Sequence, residues 1–209
     1  HDGLTWVPIF GSLSIIDRAN AIVWTGDKWV IGGITDNRIA TSADGITWTS
    51  SPNTNHSTIN TLAWNGKMVL CGGDGTYAIS WSSNGLDWTP AANTLFTDCE
   101  SIAWSEKLKL WVAVGKGTID GVTTKIGHSF DGINWISNGG GDIFSNKATA
   151  VFYNGDRFIA FGAGDATGNT MAYSDDGFNW VGLGIGIGNT VTACGVSAPQ
   201  TGIASIAGK

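Results

Sequence analysis

Charge is what this 209-residue chain has least of: Asp, Glu, Lys and Arg make up 13% of it, about half the usual share. Long solvated helices, which draw on Glu and Lys, are therefore not expected as the main element. Positive charge is scarcer still, with 11 Lys and Arg against 17 Asp and Glu and a formal charge of −6. Nucleic acid and anionic membrane surfaces require a basic footprint, so neither is an expected partner. Apolar runs stay short of the ~18 residues that a membrane-crossing helix needs, so no membrane insertion is expected. No signal-peptide pattern opens the chain, which begins inside a repeat. The three cysteines, Cys71, Cys99 and Cys194, show no Cys-x-x-Cys or Cys/His spacing. That argues against a disulfide scaffold or zinc site and for buried free thiols. The glycine-alternating stretch Gly182–Asn189 has no helix after it, so a dinucleotide loop is not expected. Neither metal nor cofactor is assigned.

Glycine (31) and tryptophan (11) are abundant instead. That composition suits many short strands joined by tight turns. A seven-residue phrase recurs: SADGITW at 42–48, SSNGLDW at 82–88, SFDGINW at 129–135 and SDDGFNW at 174–180, with a clipped HDGLTW at 1–6. The five motif tryptophans, Trp6, Trp48, Trp88, Trp135 and Trp180, are spaced by 42, 40, 47 and 45 residues. A period in the forties with several short strands per period is the signature of a β-propeller.

A second element recurs in phase. Ala19–Gly33, Ile59–Gly73, Glu100–Gly115 and Ala148–Gly162 each read as an apolar strand, a polar turn and a second apolar strand ending in Gly. Asn65-Gly66 and Asn154-Gly155 are strong hairpin signals. We label these strands A and B. Strand C carries the chain into the motif, which turns it, and the residues ITW, LDW, INW or FNW are expected to begin strand D. The motif Asp accepts hydrogen bonds from its own turn amides, Gly supplies the left-handed corner, and Trp covers the seam to the neighbouring sheet. Asp44, Asp131 and Asp176, with Asn84 as variant, are thus expected to be structural.

This phrase resembles the Asp-box, or bacterial neuraminidase repeat, whose usual form is Ser-x-Asp-x-Gly-x-x-Trp. All four full copies here lack one residue between Asp and Gly. The resemblance implies a propeller and leaves function open, since Asp-box propellers include sialidases, xyloglucan-cleaving hydrolases, sortilin-type receptors and fibre or surface proteins of phages and large viruses. The short spelling, with its Asn, Thr and Gly richness, is most similar to the phage, viral and bacterial surface group.

The expected fold is all-β: one propeller domain over 1–209, built of at least five four-stranded antiparallel blades. The fifth is completed by both termini (Thr190–Val196, Thr201–Gly208 and the first strand) and lacks its strand C, as expected for a piece of a longer chain. The D-to-A and B-to-C connections share one face of such a disc. They bring forward Asp17, Arg18, Arg38, Tyr77, Asp98, Glu100 and Lys125 as ligand-binding candidates. Hydrolysis by a sialidase would need an arginine clamp, and the chain has three arginines in all, one of them, Arg157, in an A-to-B turn on the other face. A glycoside hydrolase would need converging carboxyls, for which Asp17, Asp98 and Glu100 are the candidates; no catalytic residue is assigned. His128 is expected to be packed or exposed rather than a metal ligand. A non-enzymatic module recognising a glycan or protein partner, outside the cell, at a cell surface or on a virion, is expected ahead of a carbohydrate-active hydrolase.

Overall fold

The computed structural model describes residues 16–34, 39–51, 56–93, 95–119, 121–138, 143–163 and 168–184. Within them the fold is an all-β propeller with no helix. Blade 1 is β1 (Arg18–Trp24), β2 (Trp29–Ile34), β3 (Ile39–Ser42) and β4 (Thr49–Ser50). Blade 2 is β5 (His56–Trp64), β6 (Val69–Gly75), β7 (Ile79–Ser82) and β8 (Thr89–Pro90). Blade 3 is β9 (Asp98–Ser105), β10 (Leu110–Ile119), β11 (Val122–Ser129) and β12 (Ile136–Ser137). Blade 4 is β13 (Lys147–Tyr153), β14 (Phe158–Ala163), β15 (Met171–Ser174) and β16 (Val181–Gly182). Each blade pairs antiparallel in chain order, and one bridge, Asp74 to Asp98, links blades 2 and 3. The residues expected to build a fifth blade lie outside the described ones, as do Cys194 and Asn55.

The apolar core is divided among the seams between blades. Val23, Val30 and Ile39 of blade 1 pack with Ile59, Val69 and Cys71 of blade 2. Leu70 and Ile79 of blade 2 pack with Phe96, Ile102 and Trp111 of blade 3. Leu110, Val112 and Ile126 of blade 3 pack with Phe144, Val151 and Phe158 of blade 4. Trp88, Trp135 and Trp180 belong to these three clusters in turn, one per seam. The innermost strands β1, β5, β9 and β13 contact one another in sequence, which fans the sheets around a common axis. Cys71 and Cys99 are free and buried, and burial pushes both thiols up.

The motif makes the same turn in every blade. In blade 1, Ser42 Oγ donates to Asp44 Oδ1 (2.9 Å) and accepts from the Gly45 amide (2.8 Å), while the amides of Ile46 and Thr47 donate to Asp44 Oδ1. Blades 3 and 4 repeat this around Asp131 and Asp176. Strand D therefore starts after the tryptophan, three residues later in each blade than its apolar pattern suggests. Amides captured by the Asp cannot join the ladder. The amides of Thr47 and Ile46 hold the Asp44 carboxyl at about 2. At Asp131 and Asp176 partial burial pulls upward, but the turn amides and Asn134 or Asn179 outweigh it and hold both at about 2. Their stabilisation is present above the ordinary Asp range of about 4 and is lost as pH falls towards 2.

Blade 2 reaches the same end by exchanging two side chains. In blades 3 and 4 an Asn amide donates back to the motif Asp Oδ2, Asn134 to Asp131 and Asn179 to Asp176, both at 2.8 Å. In blade 2 the amide is Asn84 itself, donating to Asp87 Oδ2 at 2.8 Å. Asn84→Asp would set two carboxylates against each other and is expected to cost about 1 kcal/mol in urea denaturation. Adding Asp87→Asn should restore most of it, because the pair then matches blades 3 and 4.

Candidate functional site

Every inner strand carries a bulge at the same repeat position. The register shifts fall at Asn20, Asn60, Glu100 and Thr149, in β1, β5, β9 and β13 in turn. Glycine on strand B makes this possible: a Cβ on Gly73 would stand 1.8 Å from the Thr58 carbonyl oxygen. A bulge re-aims its side chain, and in blades 1, 2 and 3 it aims at the next blade, whereas Thr149 Oγ1 donates within blade 4 to the Phe161 carbonyl at 3.4 Å. Asn20 Nδ2 donates to the Ile59 carbonyl at 2.9 Å. Asn60 Nδ2 donates to the Cys99 carbonyl at 3.3 Å and to Asp98 Oδ1 at 3.0 Å. Twice, then, an Asn clasps the carbonyl that precedes the neighbouring bulge.

Blade 3 breaks this ladder. The Glu100 side chain has no N–H to donate, and its carboxylate takes an ion pair from Lys147 of blade 4. Asp98, two residues earlier, stands where blade 1 has Arg18 and blade 2 has Thr58. The cluster sits at the opening of the axis, where strands A begin and strands B end. It comprises Asp98, Glu100, Lys147 and Asn60, with Asp74 bridged to Asp98. Asp74 Oδ1 is buried without a hydrogen-bond partner. Burial raises the Asp98 carboxyl to about 6, the Glu100 charge adds to this, Lys147 opposes it, and contact with the Glu100 carboxyl and the Asp74 charge push the same way as burial.

Of the candidates named from the sequence, Asp98 and Glu100 are thus brought together. Tyr77 is half-buried in the turn that follows Asp74, on the same face. Asp17 and Arg18 are exposed at the start of blade 1, two blades from Asp98, with Arg18 Nε on Asn20 Oδ1 at 3.1 Å. Lys125 is buried, its ammonium donating to the Phe144 carbonyl. Its surroundings are also not the open B-to-C connection that brought it forward. β10 and β11 run on as a hairpin until Ile119 faces Val122. Arg38 lies outside the described residues. His128 is packed, with Nδ1 2.6 Å from Asn138 Oδ1 and its ring edge-on to Phe178 at 4.5 Å. Lys147 was not singled out from the sequence. The available signal was its repeat position, shared with Arg18, Thr58 and Asp98.

Other features offer less chemistry. Among the described residues no His, Cys, Asp and Glu group could hold a metal ion. A cleft of about 420 Å³ lies by the blade 1 motif, lined by Asp27, Lys28, Ser42, Asp44 and Thr47, but the Asp44 oxygen there is occupied by turn amides. Arg157 stands on the face opposite the cluster, over the Tyr173 ring and paired with Asp175 at 3.2 Å. No helix of the described residues is long and apolar enough to cross a membrane.

No protein-family model matches the sequence, and no curated protein matches it either. Solved structures do resemble the fold. An ancestral GH74 enzyme aligns at TM-score 0.58 and 15% identity, covering 78% of this chain and 23% of that one. A GH74 enzyme of Niastella koreensis aligns at 0.52 and 19%, covering 79% and 24%. A chain of a nidogen/laminin complex aligns at 0.61 and 11%, covering 82% and 65%. This chain therefore spans about a quarter of the two GH74 chains. At these identities the likeness concerns fold, which hosts many functions.

Proposed function

We propose that this chain is a non-enzymatic binding module that reads a glycan at the face carrying Asp98, Glu100 and Lys147. The observation that carries the reading is the broken ladder. Repeats are their own controls, and a position held by a structural Asn in two blades is given up in the third for an ion-paired carboxylate. Local rules are broken in this way where function demands it. Carboxylates, an ammonium and the Asn60 carboxamide alternate acceptors and donors, the set that pairs with adjacent sugar hydroxyls. Tyr77 on the same face offers a ring for stacking, and Asp17, Arg18 and Arg38 stand as its outer candidates. The motif is read as an Asp-box turn one residue short, in a module that is secreted, held at a cell surface or built into a virion. A protein partner is the other outcome of the test.

One observation favours hydrolysis of a glycan as the second reading: Asp98 keeps its proton to about pH 6 beside Glu100, as a general acid must. Against it, carboxyls in hydrogen-bonding contact are closer than the roughly 5 Å of a retaining pair and leave no room for a sugar between them.

The test is a glycan array probed with the wild-type chain and with Glu100→Asn/Lys147→Thr, which rewrites the cluster in the residues of blade 2. Bound glycans are then assayed for release of reducing sugar. We expect wild-type binding, at least tenfold weaker binding by the folded variant, and no release. Equal binding by both chains would remove the site from this cluster. An array that stays blank would leave a protein partner as the surviving form of the reading, and sugar release would replace binding by hydrolysis.

A further inference from the structure

We propose that Asp98, Glu100 and Asp74 form a proton-operated latch on the seams joining blades 2, 3 and 4. The inference does not depend on what the face binds. Asp98 is a junction. Its backbone makes the one bridge between blades among the described strands, to Asp74 of β6. Its carboxyl accepts from Asn60 of β5. Its neighbour Glu100 is ion-paired with Lys147 of β13. Side chains from three blades therefore meet around one carboxyl.

The charges facing it are few. β6 contributes Asp74, β9 contributes Glu100, and β13 contributes Lys147 as the one cation. β5 contributes only the neutral Asn60. Lys116 of β10 is paired with Asp98 in register but is exposed, and its carbonyl is taken by Thr97. With Asp98 protonated, its O–H donates to the Glu100 carboxylate, which keeps Lys147, and Asp74 is the sole unbalanced charge. When Asp98 loses its proton to solvent, it and Asp74 are both unbalanced in a half-buried site with one cation shared among three carboxylates. Repulsion then acts across the bridge that joins β6 to β9.

The direction follows from linkage. The folded chain holds the Asp98 proton up to about pH 6, against about 4 for an unfolded Asp. The contribution of this group is therefore whole below about pH 4 and is lost as pH rises through 6. The motif aspartates act in the opposite sense below pH 4, so the two sets do not overlap. A shift of two units is about a hundredfold at most. Solvent screening at a half-open site reduces the expected change to about tenfold.

Hydrogen exchange of the intact chain, followed by mass spectrometry between pH 4.5 and 7.5 and corrected for intrinsic rates, reads this directly. Peptides covering β9 and the end of β6 should lose about tenfold in protection with a midpoint near pH 5 and level off just above pH 6, while the β1–β2 hairpin stays level. Asp98→Asn should remove the pH dependence and hold the acid-side protection throughout. If that variant does not fold, Glu100→Gln serves, with the midpoint expected to fall by about one unit. A wild-type profile that is flat at β9, a β1–β2 hairpin that follows the same curve, or variants that track the wild type would each overturn the latch.

Discussion

Alanine at position 73 is expected to cost about 3 kcal/mol or more in urea denaturation, among the largest effects a single methyl can have here. The added Cβ would stand 1.8 Å from the Thr58 carbonyl oxygen, 2.9 Å from its carbon and 3.1 Å from the Ile59 Cα. All three are backbone atoms, so no side chain can swing aside. Relief requires undoing the β5 bulge that aims Asn60 at Asp98. The variant should therefore lose the polar cluster along with its stability. Gly33 meets the Arg18 carbonyl oxygen at the same 1.8 Å, and its replacement should behave alike in blade 1 while leaving the cluster intact. A cost below 1 kcal/mol at position 73 would mean that strand A does not close on strand B in this way.

Trp135→Ala is the second large effect, about 3–5 kcal/mol for removing a buried aromatic. Trp135 is 3% exposed, packs in the seam of blades 2 and 3, and donates its indole N–H to the Gly132 carbonyl at 3.1 Å. Its backbone is clamped by Asn93 of the preceding blade, whose amide donates to the Trp135 carbonyl and whose oxygen accepts from the Trp135 amide. Because the three seams are separate clusters, hydrogen exchange should quicken on β7, β9 and β12 while β1 and β2 keep their protection. Equal loosening of all three seams would point to one continuous core instead of a fan of sheets. Trp88 makes the same indole bond to Gly85 but is half-buried, so its replacement should cost less.

The blade plan was legible because its signals are local. Asp-Gly and Asn-Gly corners took the positive φ expected of them, as at Gly66 (91°) and Gly132 (75°), and the tryptophan period from Trp48 to Trp180 matches the four described blades. What was not legible depends on the next blade. Glu100 stands among the candidate converging carboxyls of the sequence, yet its meaning comes from Asn20 and Asn60, whose reach to a neighbouring carbonyl no strand pattern states. Lys147 gained its role from the same geometry. Lys125 has the residue type of a solvated cation, but the extended β10–β11 hairpin buries it against Phe144. The Asp-Gly pair at 120–121 between β-branched residues was a hairpin signal that could have revealed that extension. Strand D was placed early because Ile46 and Ile133 look like strand residues, whereas their amides belong to the motif carboxylates.

The measurement that bears most directly on the account is the denaturation midpoint of the Glu100→Asn/Lys147→Thr chain. If the cluster exists for a ligand, completing the Asn ladder should leave stability unchanged or raise it by about 1 kcal/mol, one net hydrogen bond. A loss of 2 kcal/mol or more would show that Glu100 and Lys147 are there to hold the blades together, and the site would have to be sought elsewhere.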